Sequence, residues 1–168
     1  MQMTDDMFMF TDGGPLVVLP ASAAAWWDGA GEPGSSLMEG GSVETSYDVV
    51  CSVDAGTVVT LRDTDVLVGT DGEFGGALTL VDGHLILIQG LPEDLDLQDC
   101  VRRALSREPD DHVSMRVDEH GLLLIGGPDV GGGEFWGRRE ARVEKLGARV
   151  LRVFHGTEVD LIVDFGAP

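Results

Sequence analysis

The feature that most constrains the fold of this chain is a series of short apolar runs separated by glycine-containing turns. The 168 residues include 24 glycines, many of them adjacent to one another. Glycine adopts positive φ in tight turns at no steric cost, so apolar runs of about four to eight residues between such turns are typical of β-strands. The pattern predicts strands at 7–10, 16–19, 47–53, 57–61, 66–69, 77–81, 84–88, 113–117, 122–125, 149–154 and 158–165.

Turn residues between these runs predict hairpins. Asp82-Gly83 lies between two apolar runs and is a strong two-residue turn signal. Hairpin-like pairs are also expected around 119–121 and around 155–157. The run 85–88 is apolar on both faces, which predicts a central, buried strand.

Two segments have the composition of helices. The alanine-rich stretch 21–27 follows Pro20 and predicts one or two helical turns. The main helix is predicted over 93–106, where an apolar stripe has acids before it and arginines after it, as the helix dipole favours. The stripe consists of Leu97, Val101, Ala104 and Leu105, with Cys100 beside it.

Together these elements predict an α+β fold, mainly antiparallel β-sheet with one main helix. Residues 1–168 have a length that suits a single domain. Residues 28–46 contain few apolar side chains and are expected to form a long surface loop. For 134–146 both a helix and a strand remain open.

The charge of the chain is strongly negative and unevenly distributed. Thirty acids against eleven bases give a net charge of −19. Residues 1–100 contain 18 acids and one base, Arg62, for a charge of −17, whereas residues 101–168 contain 12 acids and 10 bases, for −2. Such a field repels nucleic acid and anionic membranes and speeds encounter with a basic protein. Acidity that serves only to keep a protein dispersed is the alternative explanation.

Compartment and cofactors are constrained by what the chain lacks. No apolar run approaches the ~20 residues of a membrane span, and residues 1–6 carry acids where a secretory signal carries Lys or Arg, so we expect a cytoplasmic protein. The two cysteines, Cys51 and Cys100, are expected to be small buried thiols. With no Cys-x-x-Cys or Cys/His cluster, no metal or other cofactor is expected.

Motifs for catalysis are also missing. No Gly-x-Ser-x-Gly occurs, and the four histidines lie in or next to predicted turns without a recognised catalytic spacing. The sequence therefore predicts no catalytic residues and a protein that is not an enzyme. Trp26 and Trp27 point about 100° apart on a helical turn, so one is expected in the core and the other outward as an interface anchor.

Three short motifs lie in the first third of the chain. They are Gly13-Gly14-Pro15 before an apolar strand, Trp27-Asp28-Gly29, and Tyr47-Asp48-Val49-Val50-Cys51. Together they resemble the immunity protein 21 family of bacterial polymorphic toxin systems, while the rest of the chain matches in pattern only and departs at Gly126-Gly127-Pro128. The resemblance implies a non-catalytic cytoplasmic protein that binds and blocks a cognate toxin. The motif residues fit a role as fold determinants as well as a role as contacts: Gly13, Gly14, Pro15, Tyr47, Asp48 and Cys51.

The first functional hypothesis is therefore toxin neutralisation by an acidic surface that covers a basic cleft, such as a nuclease toxin presents. One alternative is a small cytoplasmic enzyme or metal-binding protein whose site is assembled only by folding. Another is a self-assembling scaffold module. The residues expected to contact the toxin are Trp26, Trp27, Asp28, Glu32, Glu39, Glu44, Asp63, Asp65, Asp71 and Glu73.

Overall fold

The computed structural model describes residues 14–27, 46–71, 75–126, 139–141, 143, 146–156 and 158–168. Ten β-strands and three helical segments are present in these ranges. The strands are β1 (Pro15–Pro20), β2 (Thr57–Leu61), β3 (Thr64–Asp71), β4 (Gly76–Val81), β5 (His84–Gln89), β6 (Asp111–Val117), β7 (Leu122–Gly126), β8 (Arg139–Ala141), β9 (Gly147–His155) and β10 (Leu161–Asp164). The helical segments are a 3-10 helix (Ala21–Ala25), α1 (Ser46–Cys51) and α2 (Leu97–Leu105).

The strands form two five-stranded sheets. Sheet I has the order β2-β3-β1-β7-β8, and sheet II has the order β4-β5-β10-β9-β6. Every neighbouring pair in both sheets is antiparallel. The predicted α+β fold, mainly antiparallel with one main helix, is confirmed.

The two sheets pack face to face around the largest apolar cluster. Leu16 and Val18 enter it from β1, and Leu85 and Leu87 enter it from β5, in the alternation that a strand imposes. Burying one such side chain stabilises the fold by about 1.5–3 kcal/mol, so this shared core holds the sheets together.

The outer face of sheet II is covered by α2. Ile86 and Ile88, which alternate with the inward leucines of β5, pack with Val101 in a second cluster. The predicted central strand is therefore confirmed, since β5 is buried on both faces and paired on both edges. The helix begins at Leu97 rather than at 93, because Asp96 is its N-cap and its carboxylate accepts a hydrogen bond from Asp99 N at 2.9 Å.

The outer face of sheet I is covered by the 3-10 helix and α1. The helical turns predicted for 21–27 are confirmed, and Trp27 packs there with Val50. The strand predicted at 47–53 is wrong, because Ser46–Cys51 is helical. Tyr47 and Val50 are three residues apart, which places both on the helix face that meets sheet I, whereas a strand would alternate them.

Two of the three predicted hairpins are confirmed. Asp82 and Gly83 have φ of +48° and +82° and join β4 to β5, and β9 pairs directly with β10. The hairpin predicted around 119–121 is wrong, because β6 pairs with β9 in sheet II and β7 pairs with β1 in sheet I. Both strands bury apolar residues in the same core from opposite sides, so the chain crosses between the sheets there.

Both a helix and a strand are open for 134–146 from the sequence. In the structure, residues 139–141 of this segment form a strand. The strand predicted at 7–10 and all but the last residue of the loop predicted at 28–46 lie outside the described residues, and that last residue, Ser46, begins α1. None of the described helices is long and apolar enough to cross a membrane.

Candidate functional site

A groove of about 310 Å³ lies at the end of β3, where it meets the start of β1 and the segment after α1. We call it the acidic groove. Two of its residues, Asp54 and Asp71, are exposed carboxylates, and none of its lining residues is basic. The lining residues are Gly14, Pro15, Val50, Cys51, Val53, Asp54, Ala55, Val68, Gly69, Thr70 and Asp71.

One wall of the groove depends on a close contact between Gly14 and Tyr47. Gly14 has a φ of +74°, and a Cβ at this position would overlap the Tyr47 ring and lie 2.9 Å from its hydroxyl oxygen. A residue with a side chain would therefore be strained and would displace the ring. This contact gives both motif residues a structural role.

The electrostatics of the groove favour a positively charged ligand. The pKa of Tyr47 is raised, first by a hydrogen bond and a charge interaction with Cys51, then by burial and by the carboxylates of Asp71 and Asp48. The phenol therefore stays protonated at neutral pH and adds no charge of its own. The groove combines exposed carboxylates with neutral polar groups, an arrangement that binds an ammonium or guanidinium group.

At the other end of β3, Trp26 and the turn after β2 form a separate patch. The Arg62 guanidinium lies 5.1 Å from the centre of the Trp26 ring, within cation–π range. Asp63 follows in the same turn and is exposed. Trp27 is only 1% exposed, so it lies in the core, as expected for one of the two tryptophans, and it is too buried to contact a toxin as predicted. Trp26 is half-buried and packs against the same cluster.

Asp65 is not the exposed acid that the toxin-contact prediction requires, because it is 8% exposed and paired with Arg116. Its carboxylate accepts hydrogen bonds from Arg116 N at 2.8 Å, from Arg116 Nη2 at 3.0 Å and from Thr60 Oγ1 at 2.9 Å. The hydrogen bond from the Arg116 side chain is the main cause of the lowered pKa of Asp65, and it outweighs burial. The pair joins β3 of sheet I to β6 of sheet II, so Asp65 is a structural residue.

The remaining predicted contact residues are divided by the fold. Asp71 lies with the motif residues Gly14, Pro15 and Cys51 in the acidic groove. Asp63 is separated from it by the length of β3, about 23 Å at 3.3 Å per residue. The predicted residues that lie outside the described ranges are Gly13, Asp28, Glu32, Glu39, Glu44 and Glu73.

Sequence reasoning missed Asp54 as a groove residue. Its signal was the Asp54-Ala55-Gly56 step immediately before the apolar run of β2, which marks a turn at a sheet edge. The prediction for the cysteines is half right, because Cys100 is buried but Cys51 is exposed. In the short helix α1, Val50 rather than Cys51 turns into the core.

Most arginines on the sheet II side are engaged within the protein. Five of them form ion pairs with carboxylates of the same chain, which neutralises positive charge locally and leaves the acidic surplus elsewhere. These pairs are Arg102–Asp82, Arg103–Glu158, Arg107–Asp110, Arg116–Asp65 and Arg152–Asp164.

A histidine and a buried carboxylate also meet on sheet II. His84 Nδ1 lies 3.0 Å from Asp164 Oδ1, and Asp164 is 3% exposed. Burial alone would raise the pKa of Asp164, but hydrogen bonds from Arg152, Gly166 N and His84 outweigh it and lower the pKa. A carboxylate held in this way can orient an imidazole as a base. Within the described ranges, no hydroxyl or thiol hydrogen-bonds His84, and no three His, Cys, Asp or Glu side chains are grouped to hold a metal ion.

Comparison of the chain with models of known protein families, with curated proteins and with solved structures found no match.

Proposed function

We propose that this protein neutralises a cognate bacterial toxin by binding it through the acidic groove and the surface around it. The observation that carries the proposal is that Asp54 and Asp71 share one groove with Gly14, Pro15 and Cys51. The last three belong to the motifs that resemble the immunity protein 21 family. A cytoplasmic, non-catalytic inhibitor is the function that this resemblance implies.

Charge supports the same proposal. A net charge of −19 accelerates encounter with a basic surface, and an antidote that must capture its toxin quickly benefits from this. The five arginine ion pairs each join one positive and one negative charge, so they leave the net negative charge and its long-range field unchanged. On the sheet I side, Arg62 is held against Trp26 and is the one base in residues 1–100.

The chemistry of the groove supports a basic partner group. Carboxylates at its rim and the protonated Tyr47 beside it suit a Lys or Arg side chain of the toxin. A toxin that acts on nucleic acid presents such side chains in its substrate cleft, so covering them would block substrate as well as bind the inhibitor.

The experiment is co-expression with the product of the gene immediately upstream, followed by a growth-rescue assay and measurement of the dissociation constant. The test variant is Asp54→Asn with Asp71→Asn. The matched control is Glu93→Gln with Asp94→Asn, because it removes the same charge from two exposed acids before α2 that do not line the groove.

We expect the groove variant to bind at least about tenfold more weakly and to lose rescue, since charge-assisted contacts contribute most at close range. The control should bind within about threefold of the original protein, because it keeps the groove carboxylates. It loses the same two charges as the groove variant, so long-range steering changes equally in both variants. Equal weakening in both variants, or no complex and no rescue with the original protein, would count against the proposal. Oligomers of the chain alone would favour the scaffold alternative, and stabilisation by calcium or zinc would favour the metal-binding one.

A further inference from the structure

A second cavity shares no lining residue with the acidic groove. It has a volume of about 420 Å³ and is formed where the end of α2 faces β9, β10 and the segment between them. Cavities of about 300–1,000 Å³ are typical of small-molecule sites. We call it the arginine cleft, after Arg103 and Arg107. The lining residues are Cys100, Arg103, Ala104, Arg107, Phe154, His155, Gly156, Glu158, Val159 and Ile162.

The floor of the arginine cleft is apolar. Ala104 from α2, Phe154 from β9, and Val159 and Ile162 from the β10 side line it. All four are buried, and they belong to the cluster beneath α2. A ligand must therefore bring an apolar body to displace water from this floor.

The rim of the cleft carries two arginines, and an ion pair holds each of them in place, Arg103 with Glu158 and Arg107 with Asp110. Arg103 donates to Glu158 Oε2 from Nε at 3.2 Å and from Nη2 at 2.9 Å. The Arg107 guanidinium lies 5.3 Å from the centre of the Phe154 ring and donates to His155 O at 2.8 Å. These contacts fix both guanidinium groups before any ligand arrives, which lowers the entropic cost of binding.

Both guanidinium groups also retain hydrogen-bond donors. Among the residues that the structure describes, Arg103 Nη1 and Arg107 Nε donate to no acceptor. A guanidinium has five N–H donors, and a carboxylate can accept from two of them at once. The cleft thus has donors for one more anionic group at its rim.

The net charge of the chain decides which anion suits the cleft. A charge of −19 opposes a dianion, such as a phosphate monoester, more strongly than a monoanion. From the apolar floor and the arginine rim, we infer that the arginine cleft binds a small monocarboxylate with an apolar body. This site is separate from the acidic groove and does not depend on toxin binding.

The probes are 4-phenylbutanoate, the matching alcohol 4-phenylbutan-1-ol, and inorganic phosphate, each titrated into the full chain at constant ionic strength. Binding is followed by calorimetry and by NMR shifts of Ala104 and Ile162. The carboxylate should saturate and bind at least about tenfold more tightly than the alcohol, while phosphate should be weaker than the carboxylate.

Neighbouring arginines on α2 provide a matched pair of variants. Arg103→Gln should weaken carboxylate binding about tenfold or more, whereas Arg102→Gln, which removes an arginine paired with Asp82 outside the cleft, should leave it unchanged. Arg107→Gln repeats the test should Arg103→Gln fail to fold. Absence of saturation, equal affinity for the alcohol, or equal effects of Arg102→Gln and Arg103→Gln would each overturn the inference.

Discussion

The side chain of Gln89 bonds to both backbone groups of Thr70, and in doing so it joins the two sheets. Gln89 Oε1 accepts from Thr70 N at 2.7 Å, and Gln89 Nε2 donates to Thr70 O at 3.2 Å. Thr70 lies where the pairing of β1 with β3 shifts register, between Pro15 and Val17. The amide of Gln89 therefore supplies the pairing that a regular neighbouring strand would supply.

Gln89→Leu should destabilise the protein by about 3 kcal/mol. Gln89 is fully buried, and the substitution leaves the backbone N–H and C=O of Thr70 without these partners at a cost of about 1–3 kcal/mol each. Urea unfolding measures the change. Gln98→Leu on α2 is the control and should shift the free energy of unfolding by no more than about 0.5 kcal/mol, because within the described ranges the Gln98 side chain bonds only to the exposed Arg102. An unchanged urea midpoint for Gln89→Leu would contradict this account of how the sheets are joined.

Gly14→Ala should cost more stability than Gly83→Ala. Both glycines have positive φ, +74° and +82°, but a Cβ at Gly83 meets nothing within 4 Å, whereas one at Gly14 meets the Tyr47 ring. Backbone strain alone costs about 1–2 kcal/mol, and the overlap should add at least about 1 kcal/mol at Gly14. In a Tyr47→Ala background the cost of Gly14→Ala should fall to that of Gly83→Ala. Thermal or urea unfolding of the original protein, Gly14→Ala, Tyr47→Ala and the double variant measures these free energies. If Gly14→Ala lost as much stability in the Tyr47→Ala background as in the original protein, the ring contact would not be the cause.

Asp65 should make stability dependent on pH below about pH 4. Its pKa is lower in the folded protein than the unfolded value of about 3.9, so its stabilising effect is complete above that value and is lost as the pH falls through the folded pKa. Asp65→Asn should therefore reduce the free energy of unfolding by about 1–2 kcal/mol at pH 7, and the difference from the original protein should shrink between about pH 4 and pH 2. Asp63→Asn, an exposed neighbour, should show almost no difference at either pH. If Asp65→Asn lowers the free energy of unfolding equally at pH 7 and pH 2.5, the ionisation of Asp65 is not coupled to stability in this way.

Cys51 and Cys100 should react at very different rates with iodoacetamide. Cys51 is exposed, whereas Cys100 is 4% exposed and burial raises the pKa of its thiol. A thiol must be both accessible and ionised to react, so native protein should be alkylated at Cys51 and protected at Cys100. Mass spectrometry of digested protein locates the label, with urea-unfolded protein as the control that labels both sites. Equal labelling of the two cysteines in the native protein would contradict the burial of Cys100.

Local patterns in the sequence determined most of the strands and the main helix of this protein. The Asp82-Gly83 turn, the doubly apolar run 85–88 and the apolar stripe of α2 are effects of residues close together in the chain, so they can be recognised without the fold. The error at 47–53 has a local cause as well. An apolar segment of that length suits a strand or a short helix, and only its contact with sheet I decided between them.

The tertiary structure alone decided which strands share a sheet and which charged residues are buried. Residues 113–117 and 122–125 resemble a hairpin in sequence, yet they lie in different sheets because both bury apolar side chains in one core from opposite sides. Asp65 resembles its exposed neighbour Asp63, but its partner Arg116 is 51 residues away in sequence. The acidic groove joins residues 14–15, 50–55 and 68–71 in the same way. Interactions between distant parts of the chain leave no periodic or local signal, so they become visible only when the chain is folded.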